Sequence, residues 1–274
     1  QQLVHELGEP GLLFGNREMR LYPNGKLAAH ILGGTRFGEE GVRAAEIVGV
    51  GGVEKYFDKM LRDPALEGEP LKLSIDLTVQ AATRQVLKDG MRLMNAKGAS
   101  AILMDVNTGE IISLVSLPDF DPNNRPRAAI LGDPSENPLF NRAAQGLYEL
   151  GSTFKIFTAA TSLEKGLVNP QTIIDTTPFR WNRKTYKDYK NYGPTNSVED
   201  IIMKSSNVGT IRMALAAGTS AQKKTLKDLG FFEAVPVELG EASRTKPQIP
   251  KNWSDTSTIT ISFGHGISAT PLHL

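Results

Sequence analysis

Residues 147–168 read LYELGSTFKIFTAATSLEKGLV, and the fold class turns on how this stretch is understood. From Gly151 to Leu163 the only charged residue is Lys155. Phe154, Ile156, Phe157, Ala159 and Ala160 surround it, so the segment predicts a helix that is apolar on nearly every face and buried. A lone buried ammonium is costly, and it either finds partners or loses its proton. It also falls in the first helical turn, where the macrodipole disfavours a cation by about 0.3–1 kcal/mol. Both effects lower a lysine pKa toward the range a general base needs near neutral pH. Ser152, three residues earlier, stands at the head of the same helix. Its hydroxyl is expected near unpaired backbone N–H groups and, at i, i+3 spacing, on the face of Lys155. Ser152 is then either the cap of this helix or a nucleophile with its base one turn away.

The spacing alone does not decide. Four Ser-x-x-Lys matches occur among 16 serines and 17 lysines, where chance supplies about one. Ser162 and Lys165 close the same helix beside Gly166, where a C-terminal lysine is favourable. Ser220 opens a polar helix on which Lys223, Lys224 and Lys227 form a solvated face, and Ser243/Lys246 lie in the loop EASRTKPQIP. Only at Lys155 does the charge sit where helix stability opposes it.

The rest of the chain bounds the problem. Its 274 residues, 40% of them apolar, suffice for one large domain or two unequal ones. A net charge of +1 gives no reason to expect a polyanionic partner. With no cysteine, disulfides and thiolate metal sites are excluded. His5, His30, His265 and His273 show no metal-ligand spacing and read as structural or surface residues; neither a metal nor a cofactor is expected. No apolar run approaches the roughly 18 residues of a membrane span. The sequence opens on Gln1 and closes on the apolar TPLHL, so both ends are expected to be cuts in a longer protein.

Residues 1–68 hold twelve of the 26 glycines, with turn signals at Tyr22–Gly25, Gly33–Gly34 and Gly51–Gly52. One helix is expected there, over 52–61, in an otherwise extended module. A second regime starts at LKLSIDL (71–77), expected as a strand, followed by a helix over 78–94. Then comes a hairpin, with strands 100–106 and 110–117 around the turn Asn107-Thr108-Gly109. Asp119 and Asp121 in the following loop read as turn residues rather than metal ligands. FRWNRKTYKDYKNY (179–192) interleaves basic and aromatic residues as single-strand nucleic-acid grips do, but at this net charge it reads as an exposed irregular or β segment; no nucleic acid is expected. From Pro138 onward the chain reads mostly as helices, which gives an α+β class with a sheet incomplete within these residues.

NSVEDIIMKSSNVGTIRMALAAG (196–218) adds a second polar group. Ser197 is expected to cap a short helix, with Asp200 at the capping-box position. Ser205-Ser206-Asn207 then separates it from an apolar helix ending near Gly218. The trio is either an inter-helix turn with Asn207 at a positive-φ position or part of a polar site. A second Ser-x-Asn, Ser135/Asn137, lies in a proline-flanked turn.

Ser-x-x-Lys at the head of a buried helix, followed about 50 residues later by Ser-x-Asn, resembles the penicillin-binding proteins and serine β-lactamases. RLYPNGKLAAHILG, LSIDLTVQ, AILMDVNTGEIISLVSLPDFDPN, NRAAQGLYELGSTFKIFTAA, KSSNVGT and SFGHGISATPLHL resemble class B penicillin-binding proteins, the monofunctional peptidoglycan DD-transpeptidases, and KSSNVG is most similar to the septal branch. The resemblance implies a pedestal or dimerisation-like module over 1–68. It implies a transpeptidase domain over 69–274, an antiparallel sheet flanked by helices. It also implies a membrane anchor upstream, this region facing the periplasm at the bacterial inner membrane, and divisome membrane partners with a glycosyltransferase. By the same resemblance Ser152 attacks the penultimate D-Ala carbonyl of a stem peptide, Lys155 deprotonates it, and Ser205 relays a proton to the leaving nitrogen. Asn207 would hold Lys155 and the substrate amide, and β-lactams would acylate Ser152. The family's third motif, Lys-Thr-Gly or Lys-Ser-Gly, is absent from these residues; it is expected beyond Leu274, and the fragment is expected to be impaired without it. A β-lactam-hydrolysing or sensing relative and a non-catalytic division scaffold are the alternatives.

Overall fold

The computed structural model describes residues 6, 8, 19–38, 46–66, 69–127, 132–133 and 136–274; much of the first 18 residues, Ser135 and His5 lie outside them. Helix α1 (Ala29–Leu32) leads into strand β1 (Gly34–Phe37), which pairs antiparallel with β2 (Ile47–Gly51). At the base of this hairpin the two backbones touch: a Cβ on Gly33 (φ +82°) would lie 2.0 Å from the Gly51 carbonyl, so glycine at position 33 is a packing requirement. The single helix expected over 52–61 is two short ones, α2 (Gly52–Tyr56) and α3 (Asp58–Leu61). The chain leaves helical geometry at Phe57 (φ −98°, ψ 16°), whose ring packs against the core containing Ile31, Val53 and Leu114.

Helix α4 (Leu77–Leu93) begins where Asp76 accepts hydrogen bonds from the Thr78 and Val79 amides at 2.8 and 2.9 Å. LKLSIDL forms no strand. It runs extended beside the hairpin, tied by the Asp76 amide to the Ile112 carbonyl and by the Ser74 hydroxyl to the Ile111 carbonyl. With one backbone bond and one side chain–backbone bond in place of a repeated ladder, the segment stays outside the sheet. The hairpin of β3 (Ala99–Met104) and β4 (Ile111–Leu117) forms as expected, with a register shift at Leu103/Met104. In its turn Asp105 accepts from the Asn107 and Thr108 amides, which hold its carboxyl below the usual range. Gln80, 2% exposed, joins α4 to β4: its Nε2 donates to the Leu27 and Leu114 carbonyls, and its Oε1 accepts from the Ser113 hydroxyl and the Leu114 amide.

The remainder is mostly helical: α5 (Arg142–Gln145), α6 (Lys155–Glu164), α7 (Val198–Met203), α8 (Asn207–Ala217), α9 (Thr219–Asp228) and α10 (Asp255–Ile261). Two small antiparallel pairs interrupt them: β5 (Ile173–Asp175) with β8 (Thr195–Ser197), and β6 (Phe179–Trp181) with β7 (Lys184–Tyr186). The class is α+β. Helix α6 packs against α8 and α9. Its buried face is the i, i+3, i+4, i+7 stripe Lys155, Thr158, Ala159 and Ser162, widened by Thr161. The burial expected on nearly every face is therefore not found, and Ile156 is 51% exposed. Behind α6, Phe154, Phe157 and Phe231 meet edge to face with centroids 5.1–5.2 Å apart, a geometry that aromatic quadrupoles favour. Among the described residues, no helix is long and apolar enough to cross a membrane.

Candidate active site

Ser152 does not cap a helix. It lies in a 3-10 turn, Gly151–Phe154, that runs directly into α6, and no side-chain capping bond forms there. In 3-10 geometry residues i and i+3 eclipse, which keeps Ser152 and Lys155 on one side of the turn. Ser152 is exposed, and its hydroxyl has no hydrogen-bond partner among the described residues. The turn is pinned from the far end of the chain. The Gly151 amide donates to the Gly264 carbonyl at 3.2 Å, Tyr148 and Ala269 exchange backbone hydrogen bonds, and the Gly266 amide donates to Glu149 Oε1 at 2.7 Å. Gly264 (φ +81°) presses so closely that a Cβ there would sit 2.0 Å from the Gly151 oxygen.

Lys155 is 3% exposed. Its Nζ donates to the Ser205 carbonyl at 2.6 Å and to the Ser205 Oγ at 2.8 Å. Burial lowers its pKa to about 8, and the negative charge of Asp188 pulls the other way. Both Ser205 oxygens reach the ammonium because Ser205 adopts φ +58°, the left-handed conformation that only a few non-glycine residues take. The positive-φ residue of the trio is thus Ser205, not Asn207. Helix α7 ends at Met203, Ser206 caps α8 by accepting from the Gly209 amide, and Asn207 is the first helical residue. Lys155 does not hydrogen-bond Asn207; its two recorded acceptors are both on Ser205, and the Asn207 side chain has no partner among the described residues. Ser197 caps α7 as expected, with Asp200 at its third position.

Three contributors escaped the sequence reading. Asp188, just after β7, accepts from the Ser206 hydroxyl at 2.6 Å and from the Val208 amide at 3.0 Å. It is the only acid in the basic-aromatic run 179–192, which is the signal that could have singled it out. Ser206 and Gly264 carry no such mark. Three aromatics of that run, Phe179, Trp181 and Tyr186, turn inward against Ile211, Ile259 and Phe263, while Tyr189 is 93% exposed. Asp119 pairs with Arg84 at 2.6 Å, and Asp121 accepts from the Asn123 amide. Among the described residues, no group of acids and histidines could hold a metal. Lys165 ends α6, and Lys223 stands on an exposed face of α9. A cavity of about 420 Å³ opens elsewhere, between Val53, Phe57, Leu73, Ile111 and Leu239, and none of the four candidate residues lines it.

Comparison with known proteins extends these observations. The family model described as the penicillin binding protein transpeptidase domain matches residues 99–274, and that of the penicillin-binding protein dimerisation domain matches residues 4–64. A probable peptidoglycan D,D-transpeptidase FtsI of Caulobacter vibrioides is 34% identical over 99% of the chain and 44% of its own length. The peptidoglycan D,D-transpeptidase FtsI of Escherichia coli is 33% identical over 99% of the chain and 47% of its own. The chain thus spans about half the length of the curated relatives it matches. A crystal structure of Pseudomonas aeruginosa PBP2 in complex with WCK 5153 superimposes with a TM-score of 0.76 at 23% identity, covering 94% of the chain and 63% of that protein. Penicillin-binding protein 3 of Mycobacterium tuberculosis, complexed with aztreonam, gives 0.78 at 26% identity, covering 93% and 56%. The α+β arrangement is accordingly the fold of penicillin-binding-protein transpeptidase domains. With its transpeptidase match running over 176 residues, from 99 to 274, the chain belongs to the penicillin-binding-protein transpeptidase family.

Proposed function

We propose that this chain is part of a peptidoglycan DD-transpeptidase that cross-links stem peptides during septal wall synthesis and is a target of β-lactams. The observation that carries the reading is Lys155: a buried ammonium, one turn from an exposed serine, held by both oxygens of Ser205. In this reading residues 1–68 belong to the pedestal module and 69–274 to the transpeptidase domain. The whole protein is anchored in the bacterial inner membrane with this region in the periplasm, where divisome membrane proteins and a glycosyltransferase are its partners.

The chemistry follows from the charges. Neutral Lys155 takes the Ser152 proton as Oγ attacks the carbonyl carbon of the penultimate D-Ala. The C–N bond to the terminal D-Ala then breaks. Ser205, already bonded to Lys155, passes a proton to the departing nitrogen, and D-alanine leaves with an acyl-enzyme behind it. An amine of a neighbouring strand attacks the ester carbonyl, forms the new amide and returns a proton to the Ser152 oxygen. Asn207, at the mouth of the same turn, is the residue assigned to the substrate amide. An ordinary lysine is about 0.04% neutral at pH 7, whereas one of pKa about 8 is roughly 10% neutral, and that difference is the gain from burial.

A fluorescent penicillin tests the assignment. Covalent label is expected on the Ser152 peptide and is expected to vanish in Ser152→Ala. Label persisting in that variant overturns it.

A further inference from the structure

Lys155 depends on a turn that is itself held from outside. Ser205 is a non-glycine residue at φ +58° between two helices, the left-handed cap of α7, with its amide on the Ile202 carbonyl and the Ser206 amide on the Ile201 carbonyl. Those bonds tie the turn to α7 alone; the residue that ties it to α8 from outside is Asp188. One carboxylate oxygen accepts the Ser206 hydroxyl and the other accepts the Val208 amide, so a single side chain grips the cap and the first turn of α8. Its own segment is anchored by the β6–β7 hairpin, whose Phe179, Trp181 and Tyr186 are packed against Ile211 and Ile259. The carboxylate therefore stands on a braced platform, not on a free loop.

We propose that Asp188 is a positioning residue for the proton-transfer pair: by holding Ser206 and the Val208 amide it fixes the turn that presents both Ser205 oxygens to Lys155. The inference rests on the transpeptidase reading above. The same carboxylate also acts on Lys155 through its charge, favouring the protonated ammonium against the burial that opposes it. Other charged groups on elements packed against α6 are engaged elsewhere or exposed. Lys204 pairs with Asp200 at the end of α7, Arg212 of α8 pairs with Asp175, and the lysines of α9 lie in solvent. Asp188 is the one charge with a resolved effect on Lys155.

Asp188 thus does two separable things. Asp188→Asn keeps the shape but removes the charge and one acceptor. Without the charge the Lys155 ammonium is less favoured, so its pKa falls and the acid limb of the acylation profile moves to lower pH, by about half a unit or more. With the turn loosened, the plateau rate falls by about tenfold or more. Asp188→Glu retains the charge and should leave the limb where it is while lowering the plateau. The measurement is the second-order rate of fluorescent-penicillin acylation of the complete protein from pH 6 to 9.5. A limb that stays put in Asp188→Asn overturns the proposal, as does a limb displaced equally by Asp188→Glu. If Asp188→Asn does not fold, Asp188→Glu and Ser206→Ala decide: both should lower the plateau without moving the limb, and a wild-type plateau in both overturns the proposal. Failure of the complete wild-type protein to acylate at Ser152 would instead refute the transpeptidase reading, so the two are told apart.

Discussion

Gly264→Ala tests whether the nucleophile turn is held by the loop that crosses it. The added methyl would begin 2.0 Å from the Gly151 oxygen, whereas ordinary contact starts at 3.4 Å, so the loop and the turn must part by about 1.4 Å. Alanine at φ +81° also costs roughly 1–2 kcal/mol. Losing the bond from the Gly151 amide to the Gly264 carbonyl costs about 1 kcal/mol more. A net loss of about 2–3 kcal/mol should lower Tm by roughly 5–10 °C in a chain of this size. Displacing the Ser152 turn by about 1 Å should cut the rate of penicillin acylation on the order of 100-fold. Both are read on one preparation, by thermal denaturation and by stopped-flow labelling well below Tm. A variant that melts lower but acylates at the wild-type rate would refute the idea that this loop sets the position of Ser152. An unchanged Tm would refute the close approach itself.

Three further outcomes follow from features remote from that loop or from the charge of Lys155. Asp76→Ala removes the acceptor for two amides at the head of α4 and should cost about 1 kcal/mol in urea denaturation, with no change in acylation rate. Gln80→Leu leaves the Leu27 and Leu114 carbonyls, the Ser113 hydroxyl and the Leu114 amide without their partner; a loss of about 3 kcal/mol or more is expected, and a change below about 1 kcal/mol would show that relaxation satisfies them. Lys155 has a folded pKa of about 8, below its ordinary 10.5, so the unfolded chain binds the extra proton between these values. Stability should rise with pH across that window by up to about 3 kcal/mol. Lys155→Met should lack this component, and identical slopes in urea titrations at pH 8 and 9.5 would exclude the shift.

Much of the site was legible because its residues carry a visible cost. Lys155 is a charge in an apolar run at the wrong end of a helix, and cost of that kind can be read without a structure. The β3–β4 hairpin was legible because Asn107-Thr108-Gly109 is local turn chemistry. LKLSIDL misled for the opposite reason: its alternation is real, yet whether it joins a sheet depends on a ladder that only the neighbouring strand can supply. Ser152 looked like a cap because serine before an apolar helix generally is one, and a 3-10 turn preceding α6 leaves no trace in composition. Asp188 was hidden by its surroundings. Amid Arg183, Lys184, Lys187 and Lys190 it read as part of a solvated surface, while its partners lie about 20 residues on.

The left-handed serine at position 205 ties stability to chemistry. Glycine there would adopt the same backbone without strain, gaining on the order of 1 kcal/mol, and would keep the carbonyl that Lys155 holds. It would delete the hydroxyl, and a hydrogen bond to a charged group is worth about 1.5–3 kcal/mol, so the exchange loses more than it gains while Lys155 is protonated. Selection for stability below pH about 8 therefore retains the same serine that the chemistry needs.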